Sequence, residues 1–310
     1  LFESVSGFTS TGFSIFENIK QIDQSLILWR STTQWIGGLY FLFSIIFLID
    51  IYDESLKRSL TNFISLNNSE IIKQTVKVFI LYFLITFFIF IILELVGLRT
   101  FNSVNLALTL ISSGGFLPFN DISVILNTDF KKIVFSILML ISFFSIFFIY
   151  NLILFKNRDK NFFYEDYNLL LYVIILVLVF LLFFGYNNDF INIIFSIFSS
   201  ISNIGISLNS DLTNLHFIFL ILVIIGGSFF STSSGLRFIK IYSLIIFSFN
   251  QILSFSKPRN IFMNRLLFSK TNFELNEINK YFLSIIIFII SFFVLTSLIT
   301  FSGIDFEKCL

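Results

Sequence analysis

Apolar runs dominate the chain, and short polar strips cut them at intervals. A helix needs about 20 residues to cross a ~30 Å hydrocarbon core, and several runs approach or exceed that length. Leu26–Ile49 is the first predicted span, followed by a polar loop that ends at residue 75. Val76–Val96, Phe130–Phe155, Leu169–Phe184 and Lys280–Thr300 are further spans, with a charged loop, Lys156–Asp166, ahead of the third of these. Asn102–Ile111 and Phe190–Ile201 are apolar but too short to span, which predicts re-entrant helices. Leu215–Phe249 is too long for one span and is broken in its middle, and a polar linker at 250–279 follows it.

The short runs lead into strips rich in Gly, Ser and Thr. The fullest is Ser6-Gly7-Phe8-Thr9-Ser10-Thr11-Gly12-Phe13-Ser14. Its last part, Thr9 to Phe13, recurs in degraded form as Ser112-Ser113-Gly114-Gly115-Phe116 and as Ser202-Asn203-Ile204-Gly205-Ile206. Glycine holds the fourth place each time: Gly12, Gly115 and Gly205. The intervals are 103 and 90 residues, and such a long recurrence marks a structural repeat. Phe101 and Phe190 share one register ahead of the second and third glycines, and Phe306 stands in the same place after the last span. The expected fold is therefore all-α and polytopic, with pseudo-fourfold M1–P–M2 units like those of a potassium channel. Residues 1–75 would end the first repeat, 76–168 and 169–279 would be complete repeats, and 280–310 would be the M1 of a fourth. A span before the first strip and a fourth strip beyond Leu310 are expected outside the chain, which is read as a fragment.

A non-helical strip is costly in lipid unless it is buried in protein or lines water. Carbonyl groups released from helix bonding are the ligands a dehydrated monovalent cation needs. Glycine lets such a carbonyl face an axis because the required φ/ψ values are closed to a Cβ. A short helix ending at each strip would turn its partially negative C-terminus toward the same axis. One Gly/Ser strip alone would read more readily as a helix-packing break; three in register favour walls of one ion filter.

Composition agrees with a membrane protein. Hydrophobic residues make up 56% and charged ones 13%, against roughly 25% charged in soluble domains, and the mean hydropathy is +0.92. A net charge of +1 and the lack of a basic run interleaved with aromatics exclude nucleic acid as a partner. The single cysteine, Cys309, and the single histidine, His216, allow no internal disulfide, no Cys or His metal cage and no Ser-His or Cys-His triad. If the strips open outward, the loops at 50–77, 156–168 and 237–280 are cytoplasmic and hold 14 of the 20 Lys and Arg, as the positive-inside rule requires. Arg99, Lys131 and Lys132 read as side chains reaching for headgroups. Arg30 follows the first strip and is singled out, while Glu3 reads as either a negative potential near the strip or a structural hydrogen-bond partner. His216 reads as interfacial.

A second constellation is the run Gly226-Gly227-Ser228-Phe229-Phe230-Ser231-Thr232-Ser233-Ser234-Gly235. Its three glycines and five Ser/Thr split an apolar region. It reads as an intramembrane loop that obstructs a pore at rest, or else as a helix kink closed by hydroxyls.

These motifs together resemble the membrane subunit of the Trk/Ktr/HKT superfamily of potassium transporters, nearest the bacterial Trk type. Ser6 to Gly12 resembles the first filter of that family, and Ser112 to Phe116 the second. Leu28-Trp29-Arg30 with Gln34-Trp35-Ile36-Gly37-Gly38 resembles the helix after the first filter. Gly226-Gly227-Ser228 and Ser231 to Gly235 resemble the interrupted helix of the third repeat. The third strip, the pair Phe229-Phe230 and the pair Leu236-Arg237 depart from the family pattern. The resemblance implies a multi-pass protein of the bacterial cytoplasmic membrane that takes up K⁺, with no cofactor beyond the transported ion. It implies K⁺ bound at the strips, a homodimer, and a cytoplasmic nucleotide-binding regulatory subunit. A Na⁺-coupled or Na⁺-permeable transporter of the same superfamily is the alternative; Gly12, where a serine would favour Na⁺, favours K⁺. A polytopic membrane enzyme or scaffold is the reading from another class, and the spans lack the clustered ionisable residues an enzyme would need.

Overall fold

The computed structural model describes residues 1–47, 71–153, 163–184, 190–208, 215–255, 275–301 and 303. Among the described residues there are eleven α-helices and no strand. They fall into two compact units, Leu1–Phe238 and Ile239–Leu310. Most of the sequence-predicted cytoplasmic loops lie outside the described residues, as do the side chain of His216 and the segment holding Phe306 and Cys309.

In the first unit a short helix, α1 (Phe2–Phe8), runs into the first strip, and α2 (Gln24–Phe47) follows. A long helix, α3 (Ile71–Leu95), then leads to a short one, α4 (Thr100–Ile111), and to the second strip. Beyond it come α5 (Asp129–Phe143) and α6 (Ile146–Ile153). The order of long helix, short helix and strip repeats in α7 (Tyr164–Phe184), α8 (Phe190–Ile201) and the third strip, with α9 (His216–Ile225) after it. The second unit holds all but the first residue of α10 (Phe238–Ser254), together with α11 (Leu275–Thr300).

Among the described residues three stretches of helix are long and apolar enough to cross a bilayer: Ile72–Leu95, Tyr164–Phe183 and Leu275–Thr300. The α3 helix shows why. Val78, Tyr82, Ile85, Ile89 and Leu93 form a buried stripe at helical spacing, yet Phe79, Phe83, Phe87 and Ile91 on the opposite face are equally apolar and exposed. A helix that is apolar on every face belongs in lipid. The α2 helix has the length but carries Arg30, Ser31, Thr32, Thr33 and Gln34 in its first half, and its polar face turns inward, since Arg30, Ser31 and Gln34 are all buried.

The short helices sit inside this shell. The α4 helix packs on α2, α3 and α5, and α8 packs on α5, α7 and α9. Polar pairs fix α2 against its neighbours. Ser31 Oγ donates to Asn105 Oδ1 of α4 at 2.8 Å, Trp35 Nε1 donates to Thr86 Oγ1 of α3 at 2.9 Å, and Tyr82 Oη donates to the Trp35 carbonyl at 3.1 Å.

One expected span is not continuous. The run Phe130–Phe155 was expected as a single helix, but it divides at Phe144–Ser145 into α5 and α6. Neither glycine nor proline marks the break; its cause is the partners described below.

Tyr82 tests the packing of this shell. Tyr82→Phe loses one hydrogen bond and should cost about 1 kcal/mol, whereas Tyr82→Ala also opens a cavity and should cost about 3–5 kcal/mol. Heat-induced loss of monodispersity in detergent measures both, and equal midpoints for the two variants would contradict the buried position of the ring.

Candidate functional site

The three strips begin in the same way. Each short helix ends with two backbone bonds, one spanning three residues and one spanning five. In the first strip the Ser10 amide donates to the Gly7 carbonyl at 2.9 Å and the Thr11 amide to Ser6 at 3.0 Å. In the second, Ser113 donates to Leu110 at 3.3 Å and Gly114 to Thr109 at 2.9 Å. In the third, Asn203 donates to Ser200 and Ile204 to Ser199, both at 3.2 Å. This is the Schellman closure of a helix, which requires a left-handed residue just past the end. Ser10, Ser113 and Asn203 fill that place at φ 53°, 55° and 59°. The sequence reading put the conformational demand on the fourth residue of each strip. The structure shows a second demand, at the second residue, that is met without glycine.

At the fourth place the glycines differ. Gly12 and Gly205 have φ of 79° and 72°, a region where side chains are strained. Gly115 is not left-handed, which corrects the expectation of one shared conformation. It is needed for space instead. A Cβ on Gly115 would lie 3.0 Å from the Ile204 carbonyl oxygen, and one on Gly12 would lie 2.8 Å from the Gly115 Cα. The first strip thus abuts the second, and the second abuts the third. Ser113 Oγ donates to the Ser202 carbonyl across the same seam. Ser6 Oγ ties the Phe13 carbonyl at 2.6 Å, and Ser199 Oγ ties the Ile206 carbonyl at 2.6 Å, seven residues on in both cases. In the second strip Thr109 holds the equivalent place but bonds back within its own helix. There Gln34 Oε1 accepts from the Phe116 amide at 3.4 Å, and a Cβ on Gly114 would overlap the Gln34 side chain. Phe116 and Ile206 are buried, whereas Phe13 is 70% exposed.

A cavity of about 900 Å³ opens beside the strips. Thr9, Ser10 and Thr11 of the first strip line it, with Ser112 and Ser113 of the second and Asn203 of the third. Thr232, Ser233, Ser234 and Gly235 line it too, so the structure brings the two predicted constellations together on one space.

The segment between α9 and α10 is a closed hairpin-like loop. Gly226, at φ 70°, and Gly235 pinch its base so tightly that a Cβ on Gly235 would lie 2.7 Å from the Gly226 Cα. The Leu236 amide donates to Ile224 at 2.9 Å and the Phe238 amide to Gly227 at 3.2 Å. Two loop amides and one loop carbonyl reach the break between α5 and α6. Ser228 N–H donates to the Phe143 carbonyl at 3.0 Å and Ser233 N–H to Ser142 at 3.1 Å, while Ile146 N–H donates to Phe230 at 3.1 Å. The Phe230 and Phe147 rings stack with centroids 5.0 Å apart.

Sequence reasoning missed the charges that hold this loop. Glu165 and Asp166 were read as part of a charged loop, but both are buried at the start of α7. Glu165 accepts from the Phe229 amide at 2.9 Å. Asp166 accepts from the Ser145 amide at 2.9 Å and from the Ser228 hydroxyl. On the other side Arg237, itself at φ 74°, places Nη1 2.9 Å from both the Ser228 and Ser233 carbonyls. The available signal was an acidic pair directly abutting an apolar span.

Glu3 and Arg30 form a buried ion pair behind the first strip, with Nε and Oε2 2.8 Å apart. Glu3 Oε1 also accepts from Ser14 Oγ at 2.8 Å and from the Ile15 amide at 2.9 Å. The guanidinium lies 4.1 Å from the Phe116 ring centroid, so it bridges the first strip to the second. Arg30 does not reach for headgroups, and Glu3 is a structural partner. Removing one member of a buried pair leaves an uncompensated charge and costs about 3–5 kcal/mol. Glu3→Gln and Arg30→Gln should each lower thermal stability by that order, and the double variant by less than their sum. Strict additivity in the cycle would sink the pairing.

No protein-family model matches the chain. The chain is 28% identical over 276 residues to an uncharacterised cation transporter, MJ1485, of Methanocaldococcus jannaschii. That match covers 82% of this chain and 54% of the relative, so the chain spans about half the length of the curated relative it matches. The crystal structure of the potassium transporter TrkH from Vibrio parahaemolyticus superposes with a TM-score of 0.80 at 17% identity, covering 99% of this chain and 66% of that one. The chain therefore has the fold of that crystal structure.

Proposed function

We propose that this chain forms the greater part of a K⁺ uptake pathway across the cytoplasmic membrane. The observation that carries the reading is the convergence of three identically closed helix ends on one cavity. Each presents a short strip of non-helical backbone there. In this reading Thr9 to Phe13, Ser112 to Phe116 and Ser202 to Ile206 supply carbonyl ligands that replace the hydration shell of K⁺. The loop Gly226–Gly235 obstructs the path below them, and the membrane potential drives inward flow. The similar proteins are both named as transporters, which favours transport over an enzyme or a scaffold. A homodimer and a cytoplasmic nucleotide-binding regulator remain part of the proposal, as does K⁺ over Na⁺.

Growth of a K⁺-uptake-deficient bacterium at low K⁺, with the full-length protein supplied, tests transport itself; no rescue by a protein that reaches the membrane would overturn it. The strips make a graded prediction. Gly12→Ser and Gly115→Ser force adjacent strips apart, and each should lower K⁺ over Na⁺ discrimination about tenfold or more, the effect of ~1.4 kcal/mol at the site. No described atom stands within 4 Å of the Gly205 Cβ position, so Gly205→Ser carries mainly backbone strain of about 1–3 kcal/mol and should harm selectivity less. Unchanged relative Rb⁺ and Na⁺ uptake in all three would remove the strips from the filter role.

The loop makes another. Glu165→Ala leaves the Phe229 amide unpaired, and Asp166→Ala does the same to Ser145, at a cost of about 1–3 kcal/mol each. Both variants should loosen the loop and raise Rb⁺ flux in the absence of a regulatory partner. Flux at or below that of the unaltered protein, at equal membrane levels, would mean that the loop is a packing element.

A further inference from the structure

The loop and the strips are joined by two hydrogen bonds. Thr232 Oγ1 donates to the Ile111 carbonyl, at the end of α4, at 2.6 Å. Asn203 Nδ2 donates to Ser234 Oγ at 2.7 Å. The second bond depends on a side chain that only the third strip has. At the same left-handed position the first two strips carry Ser10 and Ser113, whose hydroxyls are one atom shorter, and Ser113 turns to the neighbouring strip instead.

The third strip is also the one whose glycine is least crowded. Gly12 and Gly115 are wedged against neighbouring backbone, whereas no described atom stands within 4 Å of a Cβ on Gly205. Among the described residues Asn203 Oδ1 is buried without a hydrogen bond, and the side-chain amide is anchored through Ser234.

We infer that Asn203 is a positioning residue that couples the third strip to the loop, so that cation selectivity changes when the loop moves. With the loop seated, Ser234 fixes the Asn203 side chain and, through it, the backbone of Ile204 and Gly205. With the loop displaced, the third strip loses the Asn203 bond and is left with its ties to Ser199 and Ser113. The coupling stands on the geometry alone; its consequence for selectivity rests on the transport reading above.

Hydrogen–deuterium exchange of the full-length protein in detergent tests the coupling without transport. Ser234→Ala changes only the loop, yet exchange at the amides of residues 203–205 should rise about fivefold, the weight of one net hydrogen bond in an equilibrium. Asn203→Ser, which keeps a residue already tolerated in this conformation at Ser10 and Ser113, should do the same. The double variant should exchange no faster than either single one, and Ser234→Thr, which keeps the hydroxyl, should behave as the unaltered protein. In proteoliposomes Ser234→Ala and Asn203→Ser should pass more Rb⁺ and discriminate less against Na⁺. Unchanged exchange in Ser234→Ala overturns the coupling. Raised exchange with unchanged discrimination overturns the role in selectivity. Raised exchange in a protein that carries no cation flux even when unaltered supports the coupling and overturns the transport reading instead.

Discussion

A backbone amide or carbonyl inside a bilayer has no water to bond with, and the irregular features of the first unit are solutions to that constraint. The clearest is the pairing of two interruptions. The break between α5 and α6 sets free the Ser142 and Phe143 carbonyls and the Ser145 and Ile146 amides. The loop after α9 carries its own unpaired amides and carbonyls. Each interruption alone would leave several buried polar groups without partners, at about 1–3 kcal/mol apiece. Set against one another they satisfy most of the list: Ser228 and Ser233 donate to the two carbonyls, and Phe230 accepts from Ile146. Asp166 takes the last amide, that of Ser145. The loop persists at this depth because a second helix is broken to receive it.

The same constraint explains which features the sequence displayed. Long apolar runs and the two short helices were legible because length and hydropathy set them; Phe190–Ile201 has the predicted bounds, and Thr100–Ile111 begins two residues early. Glycine at the fourth place of each strip was legible because a missing Cβ is visible in composition. The left-handed residues at the second place were not, because Ser10, Ser113 and Asn203 are ordinary polar residues whose strain is offset by the Schellman bonds around them. The break at Phe144–Ser145 was illegible for a related reason. Its partners lie on α7 and on the loop, far along the chain, and nothing local ends the helix.

Charge placement follows the same logic of distance. Glu165 and Asp166 looked like loop residues because the run before them is rich in charge. Their burial becomes intelligible only when the loop amides are in place above them, since a carboxylate at the start of a helix gains from the helix dipole and from each N–H it accepts. Arg237 balances the pair, and its Nη1 donates to the Ser228 and Ser233 carbonyls of the loop. Glu3 and Arg30 serve the first strip as this cluster serves the loop. In both places a buried carboxyl group accepts a backbone amide from outside its own helix: Ile15 at Glu3, Phe229 at Glu165 and Ser145 at Asp166.

The three strips share one way of leaving the helix and then diverge. Ser6 and Ser199 pin the first and third from within, while the second is held from outside by Gln34, for which Gly114 clears the space. Identical subunits around an axis would have to use one device at every wall. Walls joined in a single chain are free of that requirement, and each can be held by whatever neighbour its position offers. For the third strip that neighbour includes the loop, through Asn203 and Ser234.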